Sequence, residues 1–76
     1  MNYAFDPAKL REVRQLASIG QAELARKIAG ARDWRWMKDT MNSWERGRQV
    51  PSAANVRAMA EALGVEPAAL LSAKGE

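Results

Sequence analysis

Cysteine and histidine are both absent from this chain of 76 residues. With no disulfide and no Cys- or His-ligated metal to staple it, so short a chain must hold together by close packing, through a partner subunit, or both. The same absence removes the commonest general base, the commonest metal ligand and the thiol nucleophile. There is no Gly-rich phosphate loop and no acid pair in a region long enough to form a pocket, so an enzyme is not expected, and no cofactor or metal. The composition, 47% hydrophobic and 28% charged, suits a folded globule. One domain over residues 1–76 is expected. No apolar run approaches the ~20 residues of a membrane span and no secretory signal opens the chain, so the expected setting is cytoplasmic, with no membrane partner.

Charge is unevenly placed. Residues 1–50 carry ten Lys/Arg against six acids, whereas residues 51–76 carry two against three. The basic surplus belongs to the first two-thirds and suits an anionic partner, most simply nucleic acid. For a net +3 taken alone a solvated surface is the favoured account, so charge by itself does not point to nucleic acid.

The chain reads as helices, with no stretch of alternating, β-branched strand pattern. Asp6-Pro7 is an N-cap followed by a proline at the first helical position, and Leu10, Val13 and Leu16–Ala17 make the apolar stripe of the first helix. Gln21–Ala29 forms the second, with Leu24, Ala25 and Ile28 inward, Arg26 and Lys27 outward, and Gly30 as its stop. Residues 30–37 admit two readings. One is an extended loop with the third helix starting near Lys38. The other starts that helix at Asp33, placing Trp34, Met37, Met41 and Trp44 on one face, and bare periodicity slightly favours it. The fourth helix follows Pro51-Ser52, carries Val56, Met59, Ala60 and Leu63, and ends at Gly64. A short fifth helix begins at Glu66-Pro67 and holds Ala69, Leu70 and Leu71, with Val65 stapled onto Leu70 and Ser72–Glu76 frayed.

Four ordered pieces then stand out: Gln21-Ala-Glu-Leu-Ala25, Trp44-Glu45-Arg46-Gly47-Arg48, Pro51-Ser52, and Ala62-Leu63-Gly64-Val65. Together they resemble the Cro/C1-type (XRE-like) helix-turn-helix family of bacterial and phage repressors, over about residues 9–71. The resemblance implies a compact all-α fold of five helices with a helix-turn-helix over about residues 21–46. It also implies sequence-specific binding of double-stranded DNA, usually by a homodimer on a palindromic operator, with the third helix in the major groove. One departure is visible. Gln21 and Glu45 lie 24 positions apart, roughly six more than usual for a turn of about 3–4 residues. Some relatives have such an insert followed by a Trp, which places an insert around Gly30–Arg35 and Trp36 under the recognition helix. The resemblance therefore favours a lengthened turn and the extended-loop reading.

Carried over residue by residue, the resemblance implies base contacts from Lys38, Asp39, Asn42 and Ser43. Phosphate contacts are implied for Gln21, Arg46, Arg48 and Gln49, and the insert adds Arg32 and Arg35 near the DNA. A structural ion pair between Arg14 and Glu45 is implied as well. The chemistry fits these roles. Lys38 can donate to guanine O6 and N7, Asn42 can pair with adenine N6 and N7, Asp39 can accept from cytosine N4 or cap the helix instead, and Ser43 can do either. Gln21 stands at a helix start, where free amides and the positive dipole end suit a phosphate and the side chain can brace the third helix. Each of these residues has a plain alternative as a solvated surface group. Trp44, Met41 and Trp36 read as core, and Trp34 is open between the insert, DNA sugars and a partner surface. Dimerisation through the C-terminal helix, by Leu70 or Leu71, is the expectation. The function expected is a transcriptional regulator, in sense a repressor, nucleoid-associated when bound. The competing reading is a protein-interaction module or antitoxin with a protein partner.

Overall fold

Glycines and capping residues divide the chain as the sequence suggests, and packing decides the rest. The computed structural model describes residues 3–73. Its order is β1 (Tyr3–Phe5), α1 (Pro7–Leu16), α2 (Gln21–Ala29), α3 (Trp34–Glu45), α4 (Ala53–Leu63), a 3-10 turn (Pro67–Leu70) and β2 (Leu71–Ala73). Asp6 caps α1, its carboxylate accepting from the Ala8 and Lys9 amides, and Ser52 caps α4 by accepting from Asn55 N at 3.2 Å. Leu10, Leu24, Met37, Met41, Met59 and Leu70 are fully buried and join one core with Trp44 and the inward stripes of α2 and α4. Three helices close in the same way. An amide five residues on returns to the carbonyl that opens the last turn (Ile19 to Arg14, Arg48 to Ser43, Val65 to Ala60), over a residue of positive φ: Ser18, Gly47 and Gly64.

The expectation of five helices is corrected to four α-helices and a 3-10 turn, with two strands that the pattern did not suggest. β1 and β2 pair antiparallel, Tyr3 opposite Ala73 and Phe5 opposite Leu71, so the two ends of the described chain close on each other. Each strand has three residues, too few for alternation to show, and the pairing spans almost the whole sequence. Leu71 and Ser72 consequently belong to a strand rather than to a fifth helix or a frayed tail. Leu70 is fully buried and offers nothing to a second subunit, while Leu71 is half-buried.

The first helix's stripe is also shorter than expected: Leu16 is 81% exposed. At about 100° per residue Leu16 lies roughly 120° from Leu10, and the helix closes before tertiary contacts could reach it. Arg14, one turn beyond Leu10, takes the inward place instead.

The turn between α2 and α3 is not lengthened. It runs from Gly30 to Asp33, and α3 takes up the extra residues as additional helix at its N-terminus. Gly30 has φ 62° and ψ −123°, the first corner of a type II′ turn and a glycine conformation, and Arg32 N closes the turn on Ala29 O at 3.0 Å. Asp33 then caps α3, accepting from Arg35 N at 2.9 Å. Periodicity was the better guide here, because Trp34, Met37, Met41 and Trp44 face one way only if the helix is continuous. Trp36, expected beneath α3, is 56% exposed, since a helix that buries Met37 turns its neighbour about 100° away from the core.

Candidate nucleic-acid interface

α3 is amphipathic along its 12 residues. Met37, Met41, Trp44 and Glu45 are buried; Arg35, Trp36 and Asp39 are exposed; Lys38, Thr40, Asn42 and Ser43 are half-buried on its shoulders. Of the residues expected to meet bases, Asp39 points furthest outward, with Asn42 and Ser43 on either side and Lys38 nearer the core. Asp39 does not cap the helix, because Asp33 does so more than a turn earlier. Arg46, Arg48 and Gln49 are exposed in the segment that follows α3.

Beneath this face lies a buried carboxylate. The Glu45 side chain is 3% exposed and the Arg14 side chain 12%. Arg14 Nε donates to Glu45 Oε2 at 2.7 Å and Nη2 to Oε1 at 3.1 Å, a bidentate pair, while Nη1 donates to Ile19 O. Gln21 Nε2 donates to Glu45 Oε1 at 3.0 Å and to Asn42 Oδ1 at 3.4 Å. Arg11 Nη2 donates to the Glu45 carbonyl at 3.0 Å, satisfying a carbonyl at the C-terminus of α3. One glutamate thus ties α1, α2 and α3 together and sets the angle at which α3 presents its outer face. Both amide hydrogens of Gln21 are directed inside the protein, so its side chain braces Glu45 and Asn42.

The start of α3 is clamped separately. Trp34 packs against the core, with the Arg26 guanidinium 4.1 Å and the Arg35 guanidinium 4.9 Å from its ring centre. Arg32, expected near the DNA, folds back and donates from Nε to Ala29 O and from Nη2 to Ile28 O, at 3.2 Å each, capping the C-terminus of α2. The sequence reading assigns no role to Arg11 and reads Arg26 only as outward-facing. Their partners are a helix-terminal carbonyl and an indole on other elements, and no local pattern reports them. Trp36 did carry a signal, its phase relative to Met37, which the resemblance outweighed.

Among the described residues no group of His, Cys, Asp and Glu could hold a metal ion, and no helix is long and apolar enough to cross a membrane.

Two helices joined by a tight turn, the second exposing a polar face and followed by arginines, define a helix-turn-helix module. A family model described as "Helix-turn-helix domain" matches residues 8–73, and the chain belongs to this family, of Cro/C1 (XRE) type. No curated protein and no solved structure matches the chain. The family is a sequence-specific DNA-binding regulatory module and not a catalytic one.

Proposed function

We propose that the protein is a transcriptional repressor that binds a palindromic operator as a homodimer and reads the major groove with α3. The observation that carries this is the division of α3: one side is core, and the other carries the exposed Asp39 with Asn42, Ser43 and Lys38 half-buried beside it. In this reading Lys38 takes guanine, Asn42 adenine, Asp39 cytosine and Ser43 a neighbouring edge, each good contact adding about 1–3 kcal/mol of discrimination. The Asn42 oxygen that accepts from Gln21 keeps a second lone pair for adenine N6 while its Nδ2 serves N7.

Arg46, Arg48 and Gln49, with Arg35 at the other end of α3, hold the phosphates, and the first-turn amides of α2 at Gln21 take another. Arg32 adds positive charge at the turn. Bound to DNA, the protein is part of the cytoplasmic nucleoid.

Selection from a randomised duplex library at about 0.15 M salt tests the reading. The expected product is an inverted repeat with half-sites about 34–36 Å apart. A protein that stays folded and enriches no duplex would sink it.

A further inference from the structure

We infer that Trp36 is a specificity-determining residue whose indole packs on the 5-methyl group of a thymine in each half-site. The inference rests on the reading of α3 in the major groove and deepens it. Trp36 is 56% exposed, the one large apolar side chain of α3 among the exposed hydrophobics of the described residues. The inward side of the helix has no room to claim it, being filled by Met37, Met41 and Trp44. At about 100° per residue, Trp36 shares a strip with Thr40 and Ser43, beside the column of Arg35, Asp39 and Asn42. It therefore stands on the flank of the same outer face, about a turn nearer the helix start than Thr40.

That turn is firmly held. Asp33 caps it, Trp34 is packed and stacked by Arg26 and Arg35, and Met37 is fully buried. An indole presented from a fixed turn loses little freedom when it is covered. On the edges of base pairs in the major groove the apolar group available to cover it is the thymine 5-methyl; the other features are donors and acceptors. The extra N-terminal turns of α3 thus extend the reading surface and add an apolar contact to polar ones.

The test uses the duplex that the wild-type protein selects from the randomised library. Each thymine is replaced singly by uracil, which removes the methyl and keeps O4. One replacement per half-site is expected to weaken wild-type binding about fourfold, the ratio that ~0.8 kcal/mol for one buried carbon gives at ~1.4 kcal/mol per tenfold. Trp36→Ala, with an unchanged circular dichroism spectrum, is expected to bind the parent duplex more weakly and to be indifferent to that uracil. Its own selection should lose the thymine there and keep the rest of the motif. A half-site without a preferred thymine, uracil duplexes that all bind like the parent, or a Trp36→Ala protein with undiminished uracil sensitivity each overturns the inference. Where Trp36→Ala folds poorly, Trp36→Gln takes its place, and its loss of uracil sensitivity is read against Thr40→Ser, which should keep it. Failure to select any duplex would instead bring down the groove reading itself.

Discussion

Arg14 on α1 holds both carboxylate oxygens of Glu45 on α3, at 2.7 and 3.1 Å, in a position where water scarcely reaches either group. A pair so placed is costly to break from one side, because the remaining charge stays buried without its partner. Glu45→Ala is therefore expected to lower stability by about 3–5 kcal/mol, and Glu45→Gln by less, since an amide oxygen can still accept from Arg14. Urea denaturation measures both. An unchanged midpoint for Glu45→Ala would show that the pair does not hold α1 to α3.

Asp6 links the capping of α1 to the closure of the termini. The Ser72 hydroxyl donates to its carboxylate at 2.6 Å and is the main reason its pKa lies below the ordinary 3.8; the Ala8 and Lys9 amides and the Lys9 charge act in the same direction, against burial. A carboxyl whose pKa is lower in the folded state binds its proton less readily there than when unfolded. Its contribution is thus present above pH 3.8 and fades as pH falls through the depressed folded value. Asp6→Ala should cost about 0.5–2 kcal/mol at neutral pH, as loss of an N-cap does. Urea midpoints of Ser72→Ala and wild type should differ at pH 7 and converge in acid; a constant gap would refute the coupling.

Ser18 occupies, at φ 58°, the place that Gly47 and Gly64 occupy in the other two closures of this type. A non-glycine residue is strained there by about 1–2 kcal/mol, part of which glycine returns as unfolded-chain entropy. Ser18→Gly is accordingly expected to stabilise the protein by about 0.5–1 kcal/mol. A thermal melt that moves downward would mean that the serine makes a compensating contact.

Base-reading and phosphate-holding groups should separate by salt. Lys38→Ala and Asn42→Ala are each expected to cost about 1–3 kcal/mol on the selected operator and little on unrelated duplex. Arg46→Ala and Arg48→Ala should weaken every duplex alike and each reduce the slope of log K against log salt by about 1. Titrations at several salt concentrations check both. Equal losses of Lys38→Ala on operator and random DNA would move Lys38 to the phosphates.

Much of the candidate site was legible in the chain, though not its mounting. The stripe Trp34, Met37, Met41, Trp44 located α3 and its outer face, because a helix repeats every 3.6 residues whatever lies beyond it. The resemblance drew Arg14 and Glu45 together, and the structure places them in contact. It also favoured a loop where there is helix, since a count of residues between two motifs does not say which element holds the surplus. Gly30 and Asp33 did: a glycine corner and a cap three residues apart leave room for a short turn alone.

Local chemistry determined where α2, α3 and α4 start and stop, which faces they bury and where the basic residues lie, for these depend on neighbours within a turn or two. Only the folded chain decided that Tyr3–Phe5 pairs with Leu71–Ala73, that Gln21 turns its amide to Glu45 and Asn42, and that Arg26 stacks on Trp34. Those outcomes depend on groups brought together from distant positions, where the competition for a hydrogen bond or a place in the core is settled by three-dimensional distance and not by spacing along the sequence.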